Sequence, residues 1–168
     1  MKQFRLILMR HAKSDWDTDA PTDHARPLNN RGRREAPRVA RRLVEIQWEP
    51  ELILSSDSQR TRETCGLVNE ELDSSPELIF LDSLYHEGPR EITTAILEAD
   101  HSCNPIMVVG HNPGWEEAVR WWTHEPVRMT TANAALLQIK ATDWPSAINS
   151  NDQWELVEIL RPKEIDDK

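Results

Sequence analysis

Two short apolar segments that each end beside a histidine constrain the fold of this 168-residue chain more than any other feature. Residues 4–9 (FRLILM) end two positions before His11, and residues 106–109 (IMVV) end two positions before His111. A short apolar run bounded by turn residues is typical of a buried strand. If both strands are parallel in one sheet, both histidines emerge at its carboxyl edge, where open α/β sheets bind their ligands.

The rest of the chain alternates between strand-like and helix-like segments. The predicted strands are residues 4–9, 52–54, 78–81, 106–109, 134–139 and 154–160, and the predicted helices are residues 32–47, 58–72, 89–99 and 113–123. This alternation predicts an α/β fold, a three-layer α/β/α sandwich with a mostly parallel sheet. Residues 142–152 are polar and have no obvious helix, so we expect the last two strands to form an antiparallel edge. We expect one domain over residues 1–162 and a charged, frayed tail over residues 163–168.

Charge and composition restrict the possible partners. The formal net charge of −9 disfavours nucleic acids and anionic membranes. The mean hydropathy is −0.65, and no apolar stretch approaches the length of a membrane-spanning helix. The N-terminal apolar run is too short for a secretory signal, and Cys65 and Cys103 lack the spacing of a disulfide framework. These features predict a protein of the reducing cytoplasm.

The first motif is the pair Arg10-His11 at the end of the first predicted strand. An imidazole there can attack phosphorus if one ring nitrogen is free and the other is held by a hydrogen bond. The neighbouring guanidinium offers a forked donor to phosphate oxygens. An Arg-His pair is more often an ordinary surface pair, so this motif has to be weighed together with the others.

The second motif lies where the second predicted strand meets the second helix. Ser56, Asp57 or Ser58 can cap that helix, and its first turn favours anions. Arg60 and Arg62 follow, two positions apart, so their side chains diverge on a helix. We expect only one of the two arginines to enter a pocket and the other to be solvated.

The third motif is Gly110-His111-Asn112-Pro113-Gly114. Gly110 permits close approach of backbone or ligand, Asn112 can cap the following helix, and Pro113 suits its first position. His111 would then lie just outside a helix N-terminus, which favours anions. A lone histidine there is more often structural, but its equivalence to His11 on another strand favours a functional role.

In this order the motifs resemble those of the histidine phosphatase superfamily, which has the phosphoglycerate-mutase-like fold. The resemblance covers nearly the whole chain and rests on Arg10-His11, residues 26–32 (RPLNNRG), residues 56–64 and residues 109–114. The short chain and the continuation Lys13-Ser14-Asp15-Trp16 resemble the SixA-type phosphohistidine phosphatase branch.

The resemblance implies roles for four residues. His11 would be the nucleophile that forms a phosphohistidine intermediate, Arg10 and Arg60 would bind the phosphoryl oxygens, and His111 would be the second histidine of the phosphate pocket. The family commonly has proline where this chain has Asp57. An acidic residue there either weakens phosphate binding or caps the helix.

Further candidates lie around these four. Lys13 and Arg26 are possible outer phosphate contacts, although loop charges of this kind often have no role. Trp16 either lines the pocket or belongs to the core or a lid. Many relatives carry an acid in the region of residues 84–88, so His86 and Glu87 are candidate proton donors, whereas SixA-type members lack a clear one. A P–N leaving group is easily protonated, so it needs a dedicated acid less than an alkyl ester does.

No metal or other cofactor is expected. The histidines do not form metal-ligand pairs, and Gly-rich nucleotide loops are absent from the sequence. We therefore expect a cytoplasmic phosphatase with a covalent phosphohistidine intermediate and a phosphohistidine protein as substrate. The alternatives are a phosphatase for a small phosphate ester and a non-catalytic phosphate-dependent binding protein on the same scaffold.

Overall fold

Strands and helices alternate through residues 1–165, the part of the chain that the computed structural model describes. The strands are β1 (Lys2–Arg10), β2 (Leu52–Ser56), β3 (Glu77–Leu81), β4 (Ile106–Gly110), β5 (Ala134–Ala141) and β6 (Glu155–Leu160). The helices are α1 (Asn30–Glu45), α2 (Gln59–Glu71), α3 (Pro89–Leu97), α4 (Gly114–Thr123) and α5 (Trp144–Ile148), with 3₁₀ turns at Asp82–Leu84 and Pro162–Glu164. The predicted elements are all present, with ends that differ by one or two residues in most cases.

The strands form one sheet in the order β3-β2-β4-β1-β5-β6. The β1–β4, β2–β4 and β2–β3 pairs are parallel, and β5 is antiparallel to both β1 and β6. The predicted mostly parallel sheet with an antiparallel edge is confirmed. Arg10 lies opposite Gly110 in the β1–β4 register, so His11 and His111 leave neighbouring strands side by side.

Alternate side chains of β1 enter two separate apolar cores, one on each face of the sheet. Phe4, Leu6 and Leu8 pack with α3, α4 and α5, whereas Ile7 and Met9 pack with α1 and α2. This arrangement confirms the three-layer α/β/α sandwich. Each fully buried aliphatic side chain stabilises the fold by about 1.5–3 kcal/mol, so the strands that carry the histidines are firmly held.

The prediction for residues 142–152 was wrong in one respect, because this polar connection contains α5. The Asp143 carboxylate caps the helix by accepting from Ser146 N at 2.8 Å. Trp144, Ala147 and Ile148 are buried. A helix of five residues is too short for its apolar spacing to stand out from the polar residues around it.

The described part of the tail that we predicted to be frayed, residues 163–165, is ordered against the domain. Residues 162–164 form a 3₁₀ turn, and Ile165 packs against the core on the α1 and α2 face. The remaining residues of that tail, 166–168, lie outside the described part of the chain. Over residues 1–165, no helix is long and apolar enough to cross a membrane.

Candidate active site

Two histidine rings face each other at the carboxyl edge of the sheet. His11 follows β1 directly, and its backbone N–H donates to Gly110 O at 3.0 Å. His111 follows β4, and the two ring centroids are 5.3 Å apart. Both side chains are buried. The pairing of the two strands therefore brings the two imidazoles together, as the sequence led us to expect.

The His11 ring is held in one tautomer. Its Nδ1 lies 2.6 Å from Ala12 O, which can only accept, so Nδ1 carries the proton and Nε2 keeps its lone pair. Burial, assisted by the positive charges of Arg60 and Arg10 and opposed by the hydrogen bond to Ala12, lowers the pKa of His11 to about 3. His11 is therefore a neutral imidazole near pH 7 with Nε2 available as a nucleophile.

His111 is also neutral, and both of its nitrogens have partners. Arg60 Nη2 donates to His111 Nδ1 at 3.3 Å, which leaves Nε2–H to donate to Ser56 Oγ at 2.9 Å. Burial lowers the pKa of His111 to about 2, helped by His11 and Arg60. As placed, His111 supports the Arg60 guanidinium from the side of the sheet.

The two arginines of α2 diverge. Arg60 is 1% exposed and points to the strand ends, whereas Arg62 is exposed, donates through Nε to Asp57 O at 2.9 Å and covers the Phe80 ring. The cap of α2 is Ser58, whose hydroxyl accepts from Thr61 N.

Asp57 does not cap the helix. Its carboxylate pairs instead with His24 Nε2 at 2.8 Å. Asp57 therefore has its own partner in the loop that follows β1.

The two arginines whose charges act on His11, Arg10 and Arg60, each have a donor without a partner in the described part of the chain. Arg10 donates through Nη1 to Met129 O at 3.0 Å. The Nε atoms of Arg10 and Arg60 are buried and have no hydrogen-bond partner among residues 1–165. An unpaired buried donor costs about 1–3 kcal/mol, and more on a charged group. Two such cationic donors whose charges act on a neutral imidazole form a site suited to an anion.

One expectation for the third motif was wrong and another holds in a different form. Gly110 does permit a close approach, but the approaching group is a core side chain, because a Cβ there would lie 2.2 Å from the Trp115 ring. Asn112 does not cap α4, which begins at Gly114 after Pro113. Its amide donates instead to Met129 O at 2.8 Å and to Glu116 Oε2 at 3.0 Å. Asn112 thus ties α4 to the segment that supports Arg10.

Of the two outer basic candidates, Arg26 is linked to Arg60 through Asp23, whereas Lys13 has no such link in the part of the chain that the structure describes. Arg26 is buried and donates to Ser14 Oγ at 2.8 Å and to Asp23 Oδ1 at 3.0 Å. Its guanidinium lies 3.5 Å from the centre of the Trp16 ring. Trp16 is 73% exposed, so it belongs neither to the core nor to a closed lid. The Lys13 side chain is half-exposed and makes no hydrogen bond or ion pair within residues 1–165.

Asp23 and Tyr85 were missed by the sequence analysis. Asp23 Oδ2 accepts from Arg60 Nη2 and His86 Nε2, both at 3.0 Å, and from the Tyr85 hydroxyl. The His86 side chain is 49% exposed. The only signal for Asp23 was its position three residues before Arg26 in a polar loop, and such pairs are common on surfaces.

Glu87 takes no part in the pocket, and the described residues form no metal-ligand cluster. The Glu87 side chain is exposed and makes no polar contact in the described part of the chain. Within residues 1–165, no group of three His, Cys, Asp or Glu side chains is placed to hold a metal ion. The groups that converge on the pocket are cationic donors and neutral imidazoles.

Known proteins share both the sequence pattern and the fold. A model of the histidine phosphatase superfamily, branch 1, matches residues 6–87. A chloroplastic protein of Arabidopsis thaliana is 36% identical over 174 residues, which covers 94% of this chain and 78% of the plant protein.

Among solved structures, SixA from Agrobacterium tumefaciens is 26% identical with a TM-score of 0.77, covering 95% of this chain and 98% of that one. The protein histidine phosphatase SixA in complex with tungstate is 21% identical with a TM-score of 0.75, over 95% and 97% of the two chains. These likenesses confirm the phosphoglycerate-mutase-like fold. The family model and the plant relative, which spans most of the chain, show that this protein belongs to the histidine phosphatase superfamily and is a phosphatase.

Proposed function

We propose that this phosphatase works through a covalent phosphohistidine on His11 and that its substrate is phosphohistidine on a protein. Two observations on Arg10 and Arg60 carry the proposal. The positive charges of both arginines act on His11, and each arginine has a buried Nε donor without a partner within residues 1–165. In the proposal, Arg10 and Arg60 bind the phosphoryl oxygens and stabilise the charge that they carry in the transition state. His111 faces His11 and completes the pocket.

Transfer proceeds in two steps. His11 Nε2 attacks phosphorus while the bond from phosphorus to the substrate nitrogen breaks, and the leaving imidazole keeps the electron pair and takes a proton from solvent. Water then attacks the phosphorus, and the bond to His11 Nε2 breaks as inorganic phosphate forms. Only Nε2 forms and breaks the bond to phosphorus, so the hydrogen bond from Nδ1 to Ala12 O can hold the ring through both steps.

The choice of a P–N substrate rests on the groups around the entrance. Glu87 is exposed without a polar partner in residues 1–165, and His86 already donates to Asp23, so neither carboxyl nor imidazole is held ready to protonate a leaving group. A phosphohistidine leaves more easily than an alkoxide and needs such an acid less. Trp16 and His86 are both exposed, and each contacts a residue of the Asp23 network, which suits contact with a side chain on a protein surface.

A cytoplasmic location is part of the proposal. Cys65 and Cys103 are both free thiols, one buried and one half-buried. Free thiols persist in reducing compartments.

Trapping the intermediate tests the mechanism. Incubation with a histidine-phosphorylated peptide, rapid quench at neutral or alkaline pH and peptide mapping should place an acid-labile phosphate on His11. His11→Ala should lose turnover, whereas His124→Ala, at a highly exposed histidine at the end of α4, should keep it. Full turnover by His11→Ala would exclude the mechanism.

A substrate panel tests the specificity. We expect a higher kcat/KM for the phosphohistidine peptide than for alkyl phosphate esters. A small ester that proves the better substrate would favour the alternative specificity. Release of no phosphate from any member of the panel would favour a binding protein.

A further inference from the structure

The Asp23 carboxylate is the meeting point of four donors at the edge of the anion site. Oδ1 accepts from Arg26 Nε at 3.0 Å. Oδ2 accepts from Arg60 Nη2 and from His86 Nε2, each at 3.0 Å, and from the Tyr85 hydroxyl. Asp23 belongs to the loop after β1, Arg60 to α2, and Tyr85 and His86 to the segment before α3. One side chain thus joins three separate parts of the site.

Asp23 holds both outer nitrogens of Arg60. Arg60 Nη1 donates to Asp23 O at 2.8 Å, and Nη2 donates to the Asp23 carboxylate at 3.0 Å. His111 Nδ1 accepts a second bond from Nη2 at 3.3 Å. These contacts fix the plane of the guanidinium and leave Nε as its buried donor without a partner in residues 1–165.

The surroundings keep Asp23 ionised. Burial raises the pKa of its carboxyl, but the hydrogen bonds from Tyr85 and His86 and the charge of Arg60 together hold that pKa below its ordinary range. The side chain is 41% exposed, so its charge is partly screened by solvent. The four donors balance the charge of the Asp23 carboxylate, and the Nε of Arg60 is not one of them.

We propose that Asp23 is the positioning residue for Arg60 in phosphoryl transfer, a role that rests on the proposed function. It acts by holding both outer nitrogens of the planar guanidinium, in the orientation that leaves Nε without a partner in residues 1–165. Preorganised donors stabilise a transition state because they need no rearrangement as charge develops. Displacement of a catalytic group by about 1 Å can cost about a hundredfold in rate, so the loss of Asp23 affects kcat through Arg60.

A double-mutant cycle tests this role. Asp23→Asn, Arg60→Ala and the double variant are compared with the wild type in kcat and KM for a histidine-phosphorylated peptide. We expect Asp23→Asn to lower kcat by about tenfold to a hundredfold, with a smaller change in KM. The double variant should be no slower than Arg60→Ala alone, because a residue that acts through Arg60 has nothing left to position.

Asp57→Asn is the matched control. It removes a carboxylate from the neighbouring His24 pair and does not touch Arg60, so its kcat should stay near that of the wild type. Unfolding midpoints of all variants show whether the fold is kept, and Asp23→Ser provides a second variant at this half-exposed loop position.

Three outcomes would overturn the role of Asp23. The first is a wild-type kcat in both Asp23→Asn and Asp23→Ser. The second is a lower KM with an unchanged kcat. The third is a double variant in which the separate losses of kcat multiply. A wild-type protein that does not hydrolyse the peptide would instead overturn the proposed function. The two failures are therefore distinguishable, since the first set requires an active wild type.

Discussion

The floor and the rim of the pocket are built from different kinds of structure. The floor consists of Arg10, His11, Arg60 and His111, which lie at the ends of β1 and β4 and in the first turn of α2. The rim consists of Trp16, Asp23, Arg26, Tyr85 and His86, which lie in connecting segments. Floor positions are set by backbone pairing and two apolar cores, whereas rim positions depend on side-chain contacts with each other. In the proposed function, the floor therefore carries out the chemistry, and the connecting segments of the rim determine substrate choice.

Arg60→Ala gives the largest expected effect and is the strongest test of the floor. Removing this preorganised donor should cost about 2–4 kcal/mol of transition-state stabilisation, a loss of roughly 30-fold to 1,000-fold in kcat. Arg62→Ala is the matched control, because Arg62 is exposed and covers Phe80. Steady-state kinetics that rank the two variants in the reverse order would contradict the assignment.

The buried histidines should make stability depend on pH. The pKa of His11 lies near 3 and that of His111 near 2 in the folded chain, below the usual 6.5. As pH falls from 7 to 5, the unfolded chain binds protons and the folded chain does not, so the free energy of unfolding decreases. The two groups together should account for about 2–4 kcal/mol. Urea denaturation at several pH values measures this, and a flat profile would contradict it.

A methyl group added to Gly110, at the end of β4 just before His111, tests how rigidly the core holds the floor. Gly110→Ala places a Cβ 2.2 Å from the buried Trp115 ring and should destabilise the fold by about 1–3 kcal/mol. Gly66→Ala is the control, because apart from its chain neighbours and its own helix backbone no atom lies within 4 Å of the added Cβ, and alanine favours the helix. Equal unfolding midpoints for the two variants would show that the floor can shift.

The candidate proton donors at the rim should have the smallest effect. His86→Ala and Glu87→Gln should each change kcat/KM for a histidine-phosphorylated peptide by less than about threefold, whereas loss of a true general acid costs about a hundredfold or more. Parallel assays with an alkyl phosphate ester give the comparison. Loss of peptide hydrolysis in either variant would show that the enzyme supplies the proton.

The floor could largely be predicted from the sequence. Each histidine follows an apolar strand, and the helical period shows that only one of Arg60 and Arg62 can point to the strand ends. The choice of Arg60 came from the family resemblance. That β4 lies next to β1 could not be predicted from local patterns, because strand order depends on pairing between residues far apart in the chain.

The rim could not be predicted in the same way. Asp23 reaches Arg60 because the loop after β1 folds back on itself, through Asp15 N donating to Pro27 O and the bridge between Ser14 and Leu28. Contacts of this kind have no sequence period. Trp16 shows the same limit, because its exposed position over Arg26 depends on a loop conformation that composition does not reveal.

The register between β1 and β4 has a consequence for how specificity can change in this family. Neighbouring strands lie about 4.8 Å apart, and the His11 and His111 ring centroids, which continue from these strands, are 5.3 Å apart. The sheet therefore sets the backbone positions from which the two imidazoles extend, and hydrogen bonds with Ala12, Ser56 and Arg60 hold the rings. Insertions or replacements in the connecting segments can alter which molecule reaches the two rings, while the spacing of the strands beneath them stays constant.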